Sequence, residues 1–233
     1  VVWRHAPFGA GLIVEGRRPR NLPGFAAGAF YVQDSAQALV TRFCDISDGT
    51  VVFDACAAPG GKAIAFSHRA RFVVAADIRL SRVRRLVQNL SRASEGNAAA
   101  LVADAAHPPI RGVGAALLDV PCLGTGAFAR HPDARWRVTE AALADLAHQA
   151  GRLLDATANI VRPGGLLFFA TCSLEPEEND VQIEAFLRRD ARFRRDPGAG
   201  VPAALLSPAG DLTLLPQRQG TDGAYAARLR RVA

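Results

Sequence analysis

Methionine is missing altogether from these 233 residues, and lysine nearly so: among 28 basic residues, Lys62 is the only lysine. The lack of Met, an initiator included, points to a fragment of a longer protein or to an altered chain. No apolar run reaches the roughly 18 residues that a membrane-spanning helix needs. The first residues carry Arg4 and His5 in place of the apolar centre of a secretion signal, so we expect a cytoplasmic protein that engages no membrane. Cysteine is scarce as well. Cys44, Cys56, Cys122 and Cys172 are too few and too scattered for a disulfide framework, and none forms the CxxC pair of zinc or redox sites. They read as reduced thiols, and we expect no metal.

A hydrophobic content of 49% suits one full core and a single globular unit. The formal charge of +6 is carried by arginine, which grips phosphate in bidentate fashion, so the charge is compatible with a nucleic-acid partner, as it is with a GC-rich genome. From Thr50 onward, short apolar runs at 51–54, 72–77, 99–102, 115–119 and 166–170 alternate with helical patterns, as in βαβ units that build a parallel sheet. None of the runs alternates strictly, which fits strands covered on both faces. Helices are expected at 62–69, 81–92, 139–161 and 177–189. Ser81 and Thr139 serve as N-caps, and Pro163-Gly164-Gly165 stops the third helix. The stretch 195–209 reads as a surface connection, and 212–215 and 225–229 as edge strands or a hairpin.

The segment Asp54-Ala55-Cys56-Ala57-Ala58-Pro59-Gly60-Gly61-Lys62 joins the first of these strands to a helix, at the sheet edge where open α/β folds bind ligands. Its small residues let a ligand approach the backbone, and the following helix offers free N–H groups. A phosphate-binding P-loop is excluded, because Cys56 and Ala63 occupy positions that require Gly and Ser or Thr, and a GxGxxG turn is absent. A ligand with little phosphate remains. Asp77 and Asp104 end the next two strands. A strand-end Asp often serves only as a helix cap, but three carboxylates at three successive strand ends argue for an adenosine-type ligand.

Asp119-Val120-Pro121-Cys122 closes the fourth strand and Thr171-Cys172-Ser173 the fifth, so both cysteines belong to the same ligand-binding edge. Buried cysteine usually acts as a small hydrophobe. That reading suits Cys44 and, less well, Cys56, whereas Cys122 and Cys172 stand among turn-forming and polar residues.

These motifs, together with Arg130-His131-Pro132-Asp133 and the run Ala170-Thr171-Cys172-Ser173-Leu174-Glu175-Pro176-Glu177-Glu178-Asn179, resemble the RNA cytosine-5 methyltransferases of the Sun/NOL1/NOP2 family, above all its bacterial 16S ribosomal RNA branch. The likeness runs from Phe30-Tyr31-Val32-Gln33-Asp34 to Asp222-Gly223-Ala224-Tyr225-Ala226-Ala227. It implies a Rossmann-like class I methyltransferase fold, with a seven-stranded, mostly parallel sheet between helices. On this reading residues 1–48 form a lead-in that packs on a catalytic domain of residues 49–233. S-adenosylmethionine would be held by Ala57, Ala58, Pro59, Gly60, Gly61 and Lys62, by Asp77 at the ribose and by Asp104 at the adenine, with Arg82 and Asp119 completing the set. Cys172 would be the nucleophile, Cys122 the group that releases product, and Asp119 the partner of the cytosine ring near N3. Lys62, Arg130 and His131 would meet the RNA.

The chemistry explains these residue types. Carbon 5 of cytosine is a poor nucleophile until a thiolate adds at carbon 6, Asp119 can stabilise the adduct, and a base must then remove the carbon 5 proton. The chain departs from the family at Ala63, where Thr is usual, and at Leu123, where Ser or Thr is usual. Members often carry an N-terminal RNA-binding domain, for which this sequence leaves no room, and transfer RNA is an alternative substrate to ribosomal RNA because the catalytic motifs read the base and not its surroundings. A DNA cytosine methyltransferase would place its nucleophile at the Pro-Cys motif and leave Cys172 without a task. A catalytically silent assembly factor would have no need of both cysteines. We expect a monomer.

Overall fold

The structure is a computed structural model that describes residues 2–16, 18–198 and 200–233. Its centre is one sheet with strands β3 (Val51–Asp54), β4 (Phe72–Asp77), β5 (Ala98–Val102), β6 (Val113–Asp119), β7 (Val161–Thr171), β8 (Phe193–Arg195), β9 (Leu212–Leu214) and β10 (Ala224–Arg231). A separate antiparallel hairpin, β1 (Val2–His5) and β2 (Leu12–Glu15), precedes it. The sheet order is β5-β4-β3-β6-β7-β10-β8, with β9 also paired to β10. Pairing is parallel from β5 to β7, and β10 runs antiparallel to its neighbours. The expected seven-stranded, mostly parallel sheet is therefore present, with β9 as an added eighth strand.

Successive residues of the central strands enter opposite cores, which is why the runs lack alternation. Val52, Leu117 and Phe168 face one cluster, with α1 (Ser35–Cys44), α2 (Gly61–Ser67) and α3 (Leu80–Ala93). Phe53, Leu118 and Phe169 face the other, with α4 (Glu140–Ala158) and α5 (Asp180–Arg189). The short α6 (Pro216–Gln219) lies between β9 and β10. Each fully buried Leu or Phe contributes about 1.5–3 kcal/mol through removal of apolar surface from water.

Local chemistry explains where the elements depart from expectation. Thr139 caps α4 as foreseen, accepting from Ala142 N at 3.1 Å. Ser81 does not cap α3. Arg79 holds the cap position without a side-chain bond, because Asp77 Oδ1 takes Arg79 N at 3.0 Å and turns the chain directly off β4. Helix α4 ends at Ala158, and Pro163-Gly164-Gly165 lies inside β7 instead of stopping the helix. Pro163 cannot donate to a ladder, and the register against β6 jumps between Val113 and Ala115 at this point. Strands β9 and β10 pair antiparallel, as the hairpin alternative expected, but β10 is not an edge strand: β7 covers one side, and β8 and β9 the other. The stretch 195–209 buries Val201 and Leu205 and so is more than a surface connection; Ala199 lies outside the described residues.

Candidate active site

The carboxyl ends of β3, β4, β6 and β7 deliver Asp54, Asp77, Asp119 and Thr171 to one edge of the sheet. Two cavities open there. One, of about 320 Å³, is lined by Asp77, Arg82, Asp104, Pro121 and Cys122 among others. The second, of about 340 Å³, is lined by Gln37, Lys62, Arg130 and His131 among others. Cys56, Ala58, Asp119 and Cys172 line both, so they form the wall between the two chambers.

The loop after β3 can run close to this wall because of Gly60, whose φ of 110° is suited to glycine and whose Cβ would lie 2.8 Å from Leu86 Cδ1. Ala57, Ala58, Pro59 and Gly61 line the second cavity, while Arg82 reaches back to donate to Ala58 O at 3.0 Å. Asp77 is buried. One of its oxygens accepts from Arg79 N, and the other, Oδ2, lies 3.4 Å from Arg82 Nε without a hydrogen bond. Asp104 accepts from Ala106 N at 2.8 Å and stands 3.6 Å from His107.

Lys62 is buried, and its ammonium donates to Asp119 Oδ2 at 2.7 Å and to Gln37 Oε1. Burial disfavours the ammonium, but Asp119 more than offsets this and holds Lys62 above its ordinary pKa. Asp54, deeper in the site, meets no hydrogen-bond partner at either oxygen among the described residues. Burial, reinforced by the Asp119 charge, pushes its carboxyl up to about 7.

Cys122 and Cys172 come from different loops, yet their sulfurs are 3.4 Å apart. A hydrogen bond from Cys122 lowers the Cys172 thiol against burial and the Asp119 charge, with help from Lys62. Cys122 is raised in return, by that bond and by burial. The two thiols are thus shifted in opposite directions, Cys172 downward and Cys122 upward.

Backbone contacts hold the loops together. Gly126 N donates to Cys172 O at 3.0 Å, and Gly223 N donates to Gly126 O at 2.8 Å. Side chains add Thr125 Oγ1, which accepts from Leu174 N at 2.8 Å, and Glu178, which accepts from Leu123 N. Arg130 lines the second cavity but spends its guanidinium on the buried Asp222, at 2.7 Å from Nε, and approaches Asp34 at 3.9 Å.

Residues 42–230 match the family model described as 16S rRNA methyltransferase RsmB/F. The chain belongs to that family. The RsmB/F match extends to individual proteins. The probable ribosomal RNA small subunit methyltransferase B of Synechocystis sp. is 37% identical over 229 residues, covering 91% of this chain and 50% of that protein. The ribosomal RNA small subunit methyltransferase B of Pseudomonas syringae pv. tomato is 39% identical over 228 residues, covering 92% and 50%. This chain thus spans about half the length of the curated relatives it matches. Among solved structures, a methyltransferase homolog protein from Pyrococcus horikoshii superposes with a TM-score of 0.81 at 26% identity, over 99% of this chain and 78% of that one.

Within this RsmB/F domain the structure brings Lys62, Asp77, Arg82, Asp104, Asp119, Cys122, Arg130, His131 and Cys172 to the two cavities. It also adds residues that the motifs did not single out. Gln33 and Gln37 reach the second cavity from the lead-in and α1, a helix that the sequence reading did not mark. Cys56, read as a small hydrophobe, lines both chambers, and Glu178 lies beneath the Cys122 loop. Gln33, Cys56 and Glu178 each lie in a motif quoted from the sequence, whereas nothing in the sequence signalled Gln37.

Proposed function

We propose that this chain transfers a methyl group from S-adenosylmethionine to carbon 5 of a cytosine in 16S ribosomal RNA, with Cys172 as the nucleophile. One observation carries the reading. Cys172 and Asp119 face two adjoining cavities at once, with the Cys122 sulfur 3.4 Å from that of Cys172. A methyl donor in one chamber and a cytosine in the other would meet across this wall.

The residues of the first chamber suit an adenosine-type cofactor. Asp77 keeps a buried oxygen without a hydrogen bond, fit to accept from a ribose hydroxyl, and Asp104 is the acceptor available to an adenine amino group. When bound, the cofactor supplies an electrophilic sulfonium methyl.

In the second chamber the Cys172 thiolate adds to carbon 6, forming a carbon–sulfur bond and moving the electron pair toward carbon 5 and N3. N3 takes a proton from water as the sulfur bond forms, Asp119, oriented by Lys62, stabilises the protonated N3 of that adduct, and the proton returns to water on elimination. Carbon 5 then takes the methyl group. Once Cys172 is a thioether, its charge no longer raises the Cys122 pKa, and Cys122, having passed its proton to water, takes the proton from carbon 5. The carbon 5–carbon 6 double bond re-forms, the sulfur bond breaks, and Cys172 leaves as a thiolate. Lys62, Arg130 and His131, in the lining of this chamber, are proposed to meet the RNA.

Incubation with 16S ribosomal RNA and S-adenosylmethionine, followed by bisulfite sequencing, tests the reading. Protection of a single cytosine is expected. Protection only in transfer RNA would move the substrate, and a methyl group on any other base or atom would sink the assignment.

A further inference from the structure

Trp136 is 83% exposed, more than any other large apolar side chain among the described residues. No ring and no guanidinium among them stacks on it. One exposed apolar residue by itself calls for no partner; the neighbours and the place of this one give it a task. Trp136 stands between Arg135 and Arg137 in the 3-10 segment Pro132–Arg137, and both arginines are exposed. Neither is ion-paired among the described residues. Arg135 gives only its Nε to the protein, donating to Pro132 O at 3.0 Å. Asp133 is the one acid from 130 to 137, and Arg130 is set against Asp222, so the segment keeps a net positive charge.

The segment is fixed at its start to the second cavity, which Ala127, Arg130 and His131 line. His131 N donates to Ala127 O and Ala134 N to His131 O, both at 3.0 Å. At a rise of about 2 Å per residue in a 3-10 helix, the five steps from His131 to Trp136 span about 10 Å. Three stacked nucleotides, at about 3.4 Å each, cover the same distance. An aromatic face between two arginines matches what an unpaired nucleotide presents, a flat base with phosphates on either side. The cavity beside it is the one that takes an RNA base in the proposed function, which favours a nucleotide over a protein as the occupant.

We propose that Trp136 is a stacking platform for an unpaired base within about three nucleotides of the target cytosine, with Arg135 and Arg137 at the adjoining phosphates. Every base has a flat face, so the contact adds affinity and fixes the path of the strand without selecting a sequence. The inference deepens the proposed function and rests on it for the place of the cytosine in the second chamber; its test reads binding and not methyl transfer.

Trp136 serves as its own reporter. In a Trp3→Phe chain it is the sole tryptophan, and titration with an unstructured RNA of about ten nucleotides, carrying one central cytosine, should quench its fluorescence. By anisotropy of the labelled RNA, Trp136→Ala should weaken affinity by about five- to 150-fold, the range for one lost base–aromatic stack, and Trp136→Phe should recover most of it. The salt slope should stay unchanged in Trp136→Ala and become shallower in Arg135→Gln and Arg137→Gln. An abasic nucleotide at the stacked position should cost the native chain the same factor and Trp136→Ala nothing further. Absence of quenching, or an affinity unmoved by Trp136→Ala, overturns the proposal. So does an abasic series in which every position costs both chains equally. Trp136 fluorescence that changes with protein concentration in the absence of RNA would give the indole to a second copy of the chain and overturn it too. Stacking at Trp136 with the methyl group delivered to an atom other than carbon 5 of cytosine would count against the proposed function alone.

Discussion

Cys122 and Cys172 stand 50 positions apart in the chain and 3.4 Å apart in space, and the proposed cycle gives them tasks that mutation separates. Without Cys172 no carbon 6 adduct forms, so Cys172→Ala should bind cofactor yet neither methylate RNA nor crosslink to it. Cys122→Ala should accept the methyl group but release product slowly, so a denaturing gel with labelled RNA should show a persistent protein–RNA band. A band from Cys172→Ala and none from Cys122→Ala would reverse the roles. Asp54 offers a test of another kind. Its folded-state pKa of about 7 lies above the unfolded value, so its contribution to stability is full below the unfolded pKa and is lost as pH rises toward about 7. Asp54→Asn removes that penalty. Its gain in melting temperature over the native chain should therefore be larger at about pH 8 than at about pH 4, and an equal difference at both would mean that Asp54 ionises without cost. The motif residues were legible because each bears a group that chemistry demands beside a strand end. Gln37 was not, because its role is to accept from Lys62, a contact made by folding α1 against α2.

At the scale of elements, the site depends on three loops held at van der Waals contact. A Cβ on Gly126 would lie 2.7 Å from Gly223 Cα and 2.8 Å from Cys172 O, with backbone on every side. Gly126→Ala must therefore push apart the Cys122 loop, the Cys172 loop and the start of β10. We expect a loss of about 1–3 kcal/mol in denaturant unfolding, together with slower alkylation of Cys172 as Cys122 moves away. Native stability and native alkylation would show that the loops are not clamped here. Strands β3 to β7 were readable as apolar runs, because a strand buried on both faces needs nothing else. The cap of α3 was misassigned because Ser81 competes with a turn that Asp77 already makes. The Pro163-Gly164-Gly165 run was taken for a helix stop because a bulge in a parallel ladder uses the same residues as a loop.

At the scale of the whole molecule, 28 basic residues against 22 acidic ones, nearly all of the basic ones arginine, give a net positive field that suits the proposed RNA substrate. RNA affinity should fall steeply between about 50 and 200 mM salt as phosphate contacts release counterions. A flat response in a filter-binding titration would deny the arginines that role. Arg130 is a poor candidate for the largest single share, since Asp222 already occupies its guanidinium. The sequence by itself determined the alternation of strands and helices, the residue types at the strand ends and the family, because these rest on local periodicity and on ordered motifs. Only the tertiary structure decided that Cys172 and Asp119 form a wall common to two cavities, that the Cys122 and Cys172 sulfurs come within 3.4 Å of each other, and that β10 fills the interior of the sheet. Those are contacts between segments distant along the chain, and burial sets their distances and their pKa shifts, which no local pattern encodes.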